Sequence, residues 1–138
     1  MAGHIHAISL AQHLCGFGVE SVECMGKNQL GFVHLNYEKA KDKPKNGVML
    51  DCDSGGTWHC SFYLTANGNK GMIHSPPIGD FEFHYGAGII LKKIQKMVRT
   101  GRPQAPYEEM LENIAVAVAA RLAQKRGRTV KLSEVWKR

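Results

Sequence analysis

The chain lacks three features that would each assign it to a broad class. It has no apolar run of the roughly 18 residues that a transmembrane helix needs, and no basic segment followed by an apolar one at its N-terminus. Its four cysteines contain no Cys-x-x-Cys spacing. We therefore expect no membrane partner, no signal peptide, no zinc ribbon and no dense disulfide framework. We interpret the thiols as reduced and mostly buried in a cytoplasmic protein.

Aromatic residues are scarce where the chain is most basic. The net charge is +6, but residues 1–87 hold six basic against eight acidic side chains, and residues 88–138 hold twelve against four. After Tyr85 the only aromatic residues are Tyr107 and Trp136. Nucleic-acid surfaces usually combine cations with stacking rings. We therefore favour a solvated basic helix face, and a small nucleic-acid binder is the weaker alternative.

Apolar spacing predicts the order helix, about six strands, two helices and a short tail. Helical spacing covers residues 4–15, returns after Tyr85 as a stripe at 90–98, and continues in an alanine-rich run at 110–123. Strand character is found at 19–25, 30–37, 47–52, 57–65, 71–74 and 81–84, and 129–132 has room for an edge strand. We therefore predict an α+β fold in a single domain over residues 1–138, with an open, mostly antiparallel sheet and helices packed on one face.

The clearest strand pattern lies at residues 57–65, where two sets of side chains alternate. Trp58 and Phe62 belong to the apolar set, which suits the side facing the helices. The other set consists of His59, Ser61 and Tyr63, which tolerate burial if their polar tips are paired. We therefore expect this set to form the interface of a homo-oligomer, most simply a two-fold dimer.

The first helix opens with His4 and His6, which places imidazoles at a helix start. His6 is the candidate general acid or base, because an imidazole can exchange a proton with a substrate hydroxyl near neutral pH. His4 is a candidate for contact with the substrate, and so is Tyr85 ahead of the second helix. A metal held by His4, His6 and His13 is not expected, since positions 4 and 6 lie on different faces of a helix and no acidic residue is near.

Two segments together resemble a known family. The first is residues 6–16, HAISLAQHLCG. The second comprises VRTGRP at 98–103, YEEMLEN at 107–113, AA at 119–120 and GRTVKL at 127–132. They resemble the C-terminal domain of the glucose–fructose oxidoreductase, inositol dehydrogenase and rhizopine-catabolism (Gfo/Idh/MocA) family. The likeness covers nearly the whole chain in element order, with its sharp motifs at the two ends.

The resemblance implies a fold, a cofactor and a role for His6. Enzymes of that family pair a Rossmann domain, which binds NAD(P), with an α/β domain that lines the substrate pocket and offers an open sheet for oligomerisation. Their helix opens as Asp-x-Gly-x-His-x-x-Asp, and only His6 matches here, with Ala2, His4 and Ser9 at the other positions. The chain contains neither the family's Glu-Lys-Pro nor Gly-x-Gly-x-x-Gly. It is similar to a truncated or stand-alone C-terminal domain that binds no cofactor by itself.

Two functions therefore compete. In the first, the chain is the substrate-side and oligomerisation domain of an NAD(P)-dependent oxidoreductase that acts on a sugar, polyol or similar hydroxyl compound, with no catalysis by this chain alone. Its partners would be a second copy, a Rossmann domain and a small-molecule substrate. In the alternative, the chain is a non-catalytic binding or assembly domain that kept the fold and lost the chemistry. Ala2 and Ser9, at the family's acidic positions, favour this alternative.

Overall fold

The computed structural model describes residues 2–26, 31–38, 41–52, 61–62, 64–79 and 83–136. The chain divides into two compact units. We call Met1–Asp53 with Ala105–Arg138 the core unit, and Ser54–Gln104 the inserted unit, because its sequence interrupts that of the core unit. The single domain over residues 1–138 stays a prediction.

Along the chain, the elements follow the predicted order of a helix, a run of strands, two helices and a short tail. They are α1 (Ala2–Cys15), β1 (Val19–Cys24), β2 (Phe32–Tyr37), β3 (Val48–Asp51), β4 (Ser61–Phe62), β5 (Thr65–Gly68), β6 (Gly71–His74), β7 (Ile78–Gly79), α2 (Phe83–Thr100), α3 (Tyr107–Arg126), β8 (Val130–Lys131) and α4 (Leu132–Trp136). The α+β class with antiparallel sheets is confirmed. The described strands form one four-stranded and two two-stranded sheets, not one sheet of about six strands.

The core unit is built on the four-stranded sheet, in the order β3-β2-β1-β8, and each neighbouring pair is antiparallel. Side chains of a strand alternate between its two faces. One face holds the buried Val22, Val33, Leu35, Leu50 and Val130. The same core includes buried residues of α1 and α3, so these helices cover this face and leave the other to the surface. Strand β8 is the predicted edge strand.

The ends of α1 and α3 follow from local chemistry. Helix α1 stops before Gly16, whose φ of 72° lies in the left-handed region that glycine adopts without strain. Helix α3 follows Pro106 and carries Glu108 and Glu109 in its first turn, where a proline and acidic side chains are both favoured. It ends at Gly127, which is left-handed with φ of 61°. Helix α1 therefore begins two residues before the predicted segment 4–15, and α3 extends three residues beyond each end of the predicted segment 110–123.

The inserted unit departs from the prediction of one strand over residues 57–65. Ser61 lies in β4, which pairs with β7, and Thr65 begins β5, which pairs with β6. Between them, Leu64 donates its amide to Ser75 Oγ and accepts the Ser75 amide, both at 3.0 Å. By Leu64 the chain has therefore joined the β5–β6 hairpin, whose tight turn fixes the pairing.

The predicted strand over residues 81–84 is wrong at residues 83–84, because α2 begins at Phe83 and includes His84, whereas residues 81–82 lie outside the described residues. Four residues of alternating pattern are too few to separate a strand from the first turn of a helix. The apolar stripe predicted at 90–98 does lie on a helix, as α2 extends to Thr100. No helix in the described parts of the chain is both long and apolar enough to cross a membrane.

Candidate functional site

Helices α1 and α3 pack against each other in the core unit and leave a shallow depression between them. Its volume is about 270 Å3, close to the lower end of the size range of small-molecule pockets. From α1 and α3, the lining residues are Ile5, His6, Ser9, Met110, Asn113 and Ile114. The depression therefore joins the two segments whose sequences carried the family resemblance.

The lining combines three polar side chains with three apolar ones. His6 is exposed on α1 and can accept or donate a proton, whereas the Ser9 hydroxyl and the Asn113 carboxamide offer neutral hydrogen bonds. The side chains of Ile5, Met110 and Ile114 surround them. None of the six lining residues carries a carboxylate, a lysine or an arginine. This arrangement suits a small uncharged molecule with both hydroxyl and hydrocarbon surface.

The buried carboxamide of Gln12 on α1 and the carboxylate of Glu112 on α3 hold these two helices together. Glu112 Oε1 accepts hydrogen bonds from Gln12 Nε2 at 3.1 Å, from the Gly18 amide at 2.9 Å and from the Val19 amide at 3.1 Å. Its second oxygen also accepts from Gly18 at 3.1 Å. Gln12 is only 2% exposed and is the buried polar residue of α1. Glu112 thereby fixes the turn after α1, and with it the helix that carries His6.

The thiols of Cys15 and Cys52 and the phenol of Tyr37 are not activated. Burial raises the pKa of the Cys15 thiol, although the nearby Lys43 ammonium opposes the shift. Burial, followed by the charge of Asp51, raises the pKa of Cys52 to about 11. Burial also raises the pKa of Tyr37 above its usual range, helped by Cys15 and Glu112. These groups stay protonated at neutral pH, so neither thiol has the thiolate character of a nucleophile.

The uncovered face of the core-unit sheet is the second candidate site. Phe32 and Met49 are about half exposed there, at 50% and 52%. His34 lies two residues after Phe32 on β2, and it pairs with Met49 on β3 and with Glu23 on β1. We call these four residues the open-face cluster. It is a mixed apolar and polar surface of the kind found at subunit interfaces.

Other predicted site residues lie elsewhere or outside the described residues. His4 lies in α1, and Tyr85 lies in α2 of the inserted unit with 78% of its side chain exposed. Ser61 is the first residue of β4, whereas His59 and Tyr63 fall outside the described residues. Within the described ranges, no group of three or more histidine, cysteine or acidic side chains is placed to hold a metal. The roles of all five residues stay predictions.

Part of the C-terminal positive charge is neutralised within the fold. Glu134 in α4 contacts Arg126 at 3.0 Å and Arg128 at 2.8 Å. It also accepts the Lys131 amide at 3.1 Å. The hydrogen bond from Arg128, together with that backbone amide, holds the pKa of Glu134 at about 2. These two arginines therefore have an acidic partner within the fold, and the solvated basic helix face stays a prediction.

Sequence reasoning missed Gln12, Glu112 and Asn113. Glu112 and Asn113 were part of a motif used only for resemblance, and no local pattern distinguishes them from solvated residues of a helix. The sequence did contain one signal for Gln12. It lies one turn after Ile8 on the apolar side of α1, where a polar side chain needs a hydrogen-bond partner.

No family model matches the chain, and the comparisons with curated proteins and with solved structures find no match.

Proposed function

We propose that this chain is the substrate-side and oligomerisation domain of an NAD(P)-dependent oxidoreductase that acts on a sugar, polyol or similar hydroxyl compound. One observation carries the proposal. The two segments that resemble the family pack against each other as α1 and α3, and His6, the residue that matches the family's histidine, lines the depression between them. The lining offers hydrogen-bonding groups and apolar contacts, as a hydroxyl-bearing ligand requires.

His6 is the residue of this chain that we expect to move a proton. Oxidation of an alcohol carbon requires its hydroxyl proton to be taken up, and an imidazole is suited to that role. Ser9 and Asn113 would orient the hydroxyl compound, while Ile5 and Ile114 contact its hydrocarbon face.

The residues of the depression do not fit a dinucleotide. The volume of about 270 Å3 suits a small molecule, and no cationic side chain among the six lining residues meets a pyrophosphate. We therefore assign nicotinamide binding to a separate Rossmann domain.

A non-catalytic binding or assembly domain is the second candidate, and one observation favours it. The six lining residues include no carboxylate, and Ser9 occupies the position of an acidic residue in the family motif. The polar side chains of the depression are enough to bind a hydroxyl compound. Without a carboxylate beside His6, they fit binding better than oxidation.

Assembly is assigned to the uncovered sheet face. The open-face cluster exposes Phe32 and Met49 beside the polar pair His34 and Glu23, whose Nδ1 and Oε2 atoms are 3.9 Å apart. A two-fold contact would bury each of these side chains twice, so a modest patch is enough to close a dimer. The predicted interface residues His59, Ser61 and Tyr63 belong to the inserted unit and remain a separate prediction.

The first experiment tests ligand binding at His6. We expect millimolar myo-inositol or D-glucose to shift the imidazole NMR signals of His6, and His6→Ala to weaken binding of the same compound at least tenfold, because the variant removes a polar contact of the depression. His13→Ala is the matched control, since His13 is also exposed on α1 but does not line the depression.

Two outcomes would count against the oxidoreductase assignment. If neither compound binds, or if His13→Ala weakens binding as much as His6→Ala, the depression is not the substrate site. A chain that assembles but binds neither compound would agree with the assembly-domain alternative.

The second experiment concerns the cofactor. We expect calorimetric titration with NADH and with NADPH to show no binding tighter than about 10 µM, because the chain has no Gly-x-Gly-x-x-Gly turn to hold a pyrophosphate. A tighter dissociation constant for either nucleotide would show a dinucleotide site in this chain and contradict the division of labour proposed above.

A further inference from the structure

Helix α2 of the inserted unit is exposed along most of its length. Every residue from Gly88 to Thr100 is exposed, and α2 makes at most sparse contacts with the other described helices and strands. Helices in proteins are stabilised mainly by burial of an apolar face, because a short helix alone is only marginally stable in water. The described structure therefore gives α2 little of the burial that stabilises a helix.

The large aliphatic side chains of α2 lie mostly on one side of the helix. At about 3.6 residues per turn, five of its apolar side chains fall within an arc of about 120°. They are Ile90, Leu91, Ile94, Met97 and Val98, each at least 40% exposed. We call these five residues the α2 stripe. Ile89 is the exception, on the opposite side. The α2 stripe presents hydrocarbon to the surface over about two and a half turns.

The opposite side of α2 is cationic. Lys92, Lys93, Lys96 and Arg99 share an arc of the same width. No Asp or Glu occurs within residues 83–107. The inserted unit holds six Lys and Arg against two Asp and Glu, so it carries +4 of the net charge of +6. A surface that covers α2 therefore has to offer negative charge next to an apolar layer.

An anionic phospholipid bilayer offers both. A helix of this kind lies in the lipid interface, where its apolar side enters about 5–10 Å and its cationic side chains reach the surrounding phosphates. A partner helix packed on the α2 stripe would leave the cations, which lie on the other side, without anions. A second copy of α2 would add cations instead of neutralising them. A nucleic acid would meet the cations and leave the hydrocarbon uncovered.

We propose that α2 docks this chain onto the surface of an anionic phospholipid bilayer, with the α2 stripe in the hydrocarbon layer and the four cations among the lipid phosphates. We expected no membrane partner because the sequence lacks a transmembrane run, but a helix that lies in the interface needs none. The docking surface is separate from the α1–α3 depression and goes beyond the proposed function.

The first test is flotation of the full chain with vesicles of phosphatidylcholine, with and without about 30% phosphatidylserine. We expect at least tenfold stronger binding to the anionic vesicles, and weaker binding as salt screens the charges. Each cation near such a surface strengthens binding about fivefold, so Lys92→Gln combined with Lys96→Gln should weaken it about 25-fold. The matched control, Lys41→Gln combined with Lys125→Gln, removes the same charge from exposed positions of the core unit and should weaken binding at most threefold.

A neutral substitution tests whether the α2 stripe enters the lipid. Ile94→Gln should weaken binding to the anionic vesicles at least tenfold, because it removes hydrocarbon contact and leaves the charge unchanged. Leu111→Gln is the control, since Leu111 is an apolar residue of α3 with similar exposure, at 50% against 45% for Ile94. It should change binding no more than threefold.

Three results would overturn the proposal. A wild-type chain that floats with neither kind of vesicle has no bilayer-docking surface. If the core-unit double variant loses as much binding as the α2 double variant, net charge and not α2 attracts the chain. If Ile94→Gln binds like the wild type, the contact is one of a polyanion with lysines, without entry into lipid. His6→Ala should bind vesicles normally, so failure of the hydroxyl-compound site leaves this proposal standing.

Discussion

Replacing Glu112 by alanine should lower the free energy of unfolding by about 3–4 kcal/mol. One carboxylate accepts hydrogen bonds from the Gly18 amide, the Val19 amide and the buried Gln12 side chain. Leaving a buried donor without its partner costs about 1–3 kcal/mol, and these three partly buried donors should each fall near the lower end of that range. Urea unfolding followed by circular dichroism measures the change, provided that the slope with denaturant stays constant.

Two variants separate the lost hydrogen bonds from a change of charge. Glu112→Gln keeps one acceptor oxygen and should cost about half as much as Glu112→Ala. Glu108→Ala removes an exposed acid from the first turn of the same helix and should cost at most about 1 kcal/mol through the helix dipole. If Glu112→Ala costs no more than Glu108→Ala, the carboxylate does not hold the turn after α1.

Phe32→Asp should weaken self-association of the chain at least 100-fold while the fold is retained. Phe32 is exposed in the free chain, so the substitution removes little from the core, yet it places a charge in the open-face cluster. In a two-fold dimer both copies lose the contact, and each loss of a buried aromatic side chain is worth about 1.5–3 kcal/mol. Sedimentation equilibrium over a range of concentrations measures the dissociation constant.

The matched control is Ile73→Asp, which charges an exposed apolar residue of the β5–β6 hairpin. It should leave the dissociation constant within about threefold of the wild type. A wild-type chain that is monomeric at tens of micromolar would contradict the proposed dimer. If Phe32→Asp assembles normally and Ile73→Asp does not, the interface lies on the inserted unit.

The elements that the sequence predicted well are those with a strong period and a local stop signal. Helix α3 has a proline before its first residue, two acids in its first turn and Gly127 after its last, so each end has its own chemical cause. The short strands of the inserted unit had no such signals. Phe83 and His84 fitted both a strand and a helix, and the pairing of Ser61 was decided by residues of a distant segment.

The sequence likewise predicted some residues of the candidate site and missed others. His6 was recognised because its segment resembles a motif, whereas the residues that position it were not. Glu112 meets its partners 93 to 100 residues away along the chain, so no window of sequence contains both sides of the contact. Asn113 stands out only once burial is known, since its unpartnered oxygen is a property of the folded chain. Contacts of this range are decided by tertiary packing and leave no local trace.

The interruption of the core unit by the inserted unit affects how the nascent protein folds. Helix α1 and strands β1 to β3 leave the ribosome first, but α3, which covers their sheet, and β8, which completes it, follow only after the inserted unit. At about 5–20 residues per second, translation of that segment takes roughly 3–10 seconds. During this time the apolar face with Val33 and Leu35 lacks the alanine-rich helix that covers it in the native state. Ribosome-bound chains that end before α3 should therefore be the species most prone to aggregate and most dependent on chaperones.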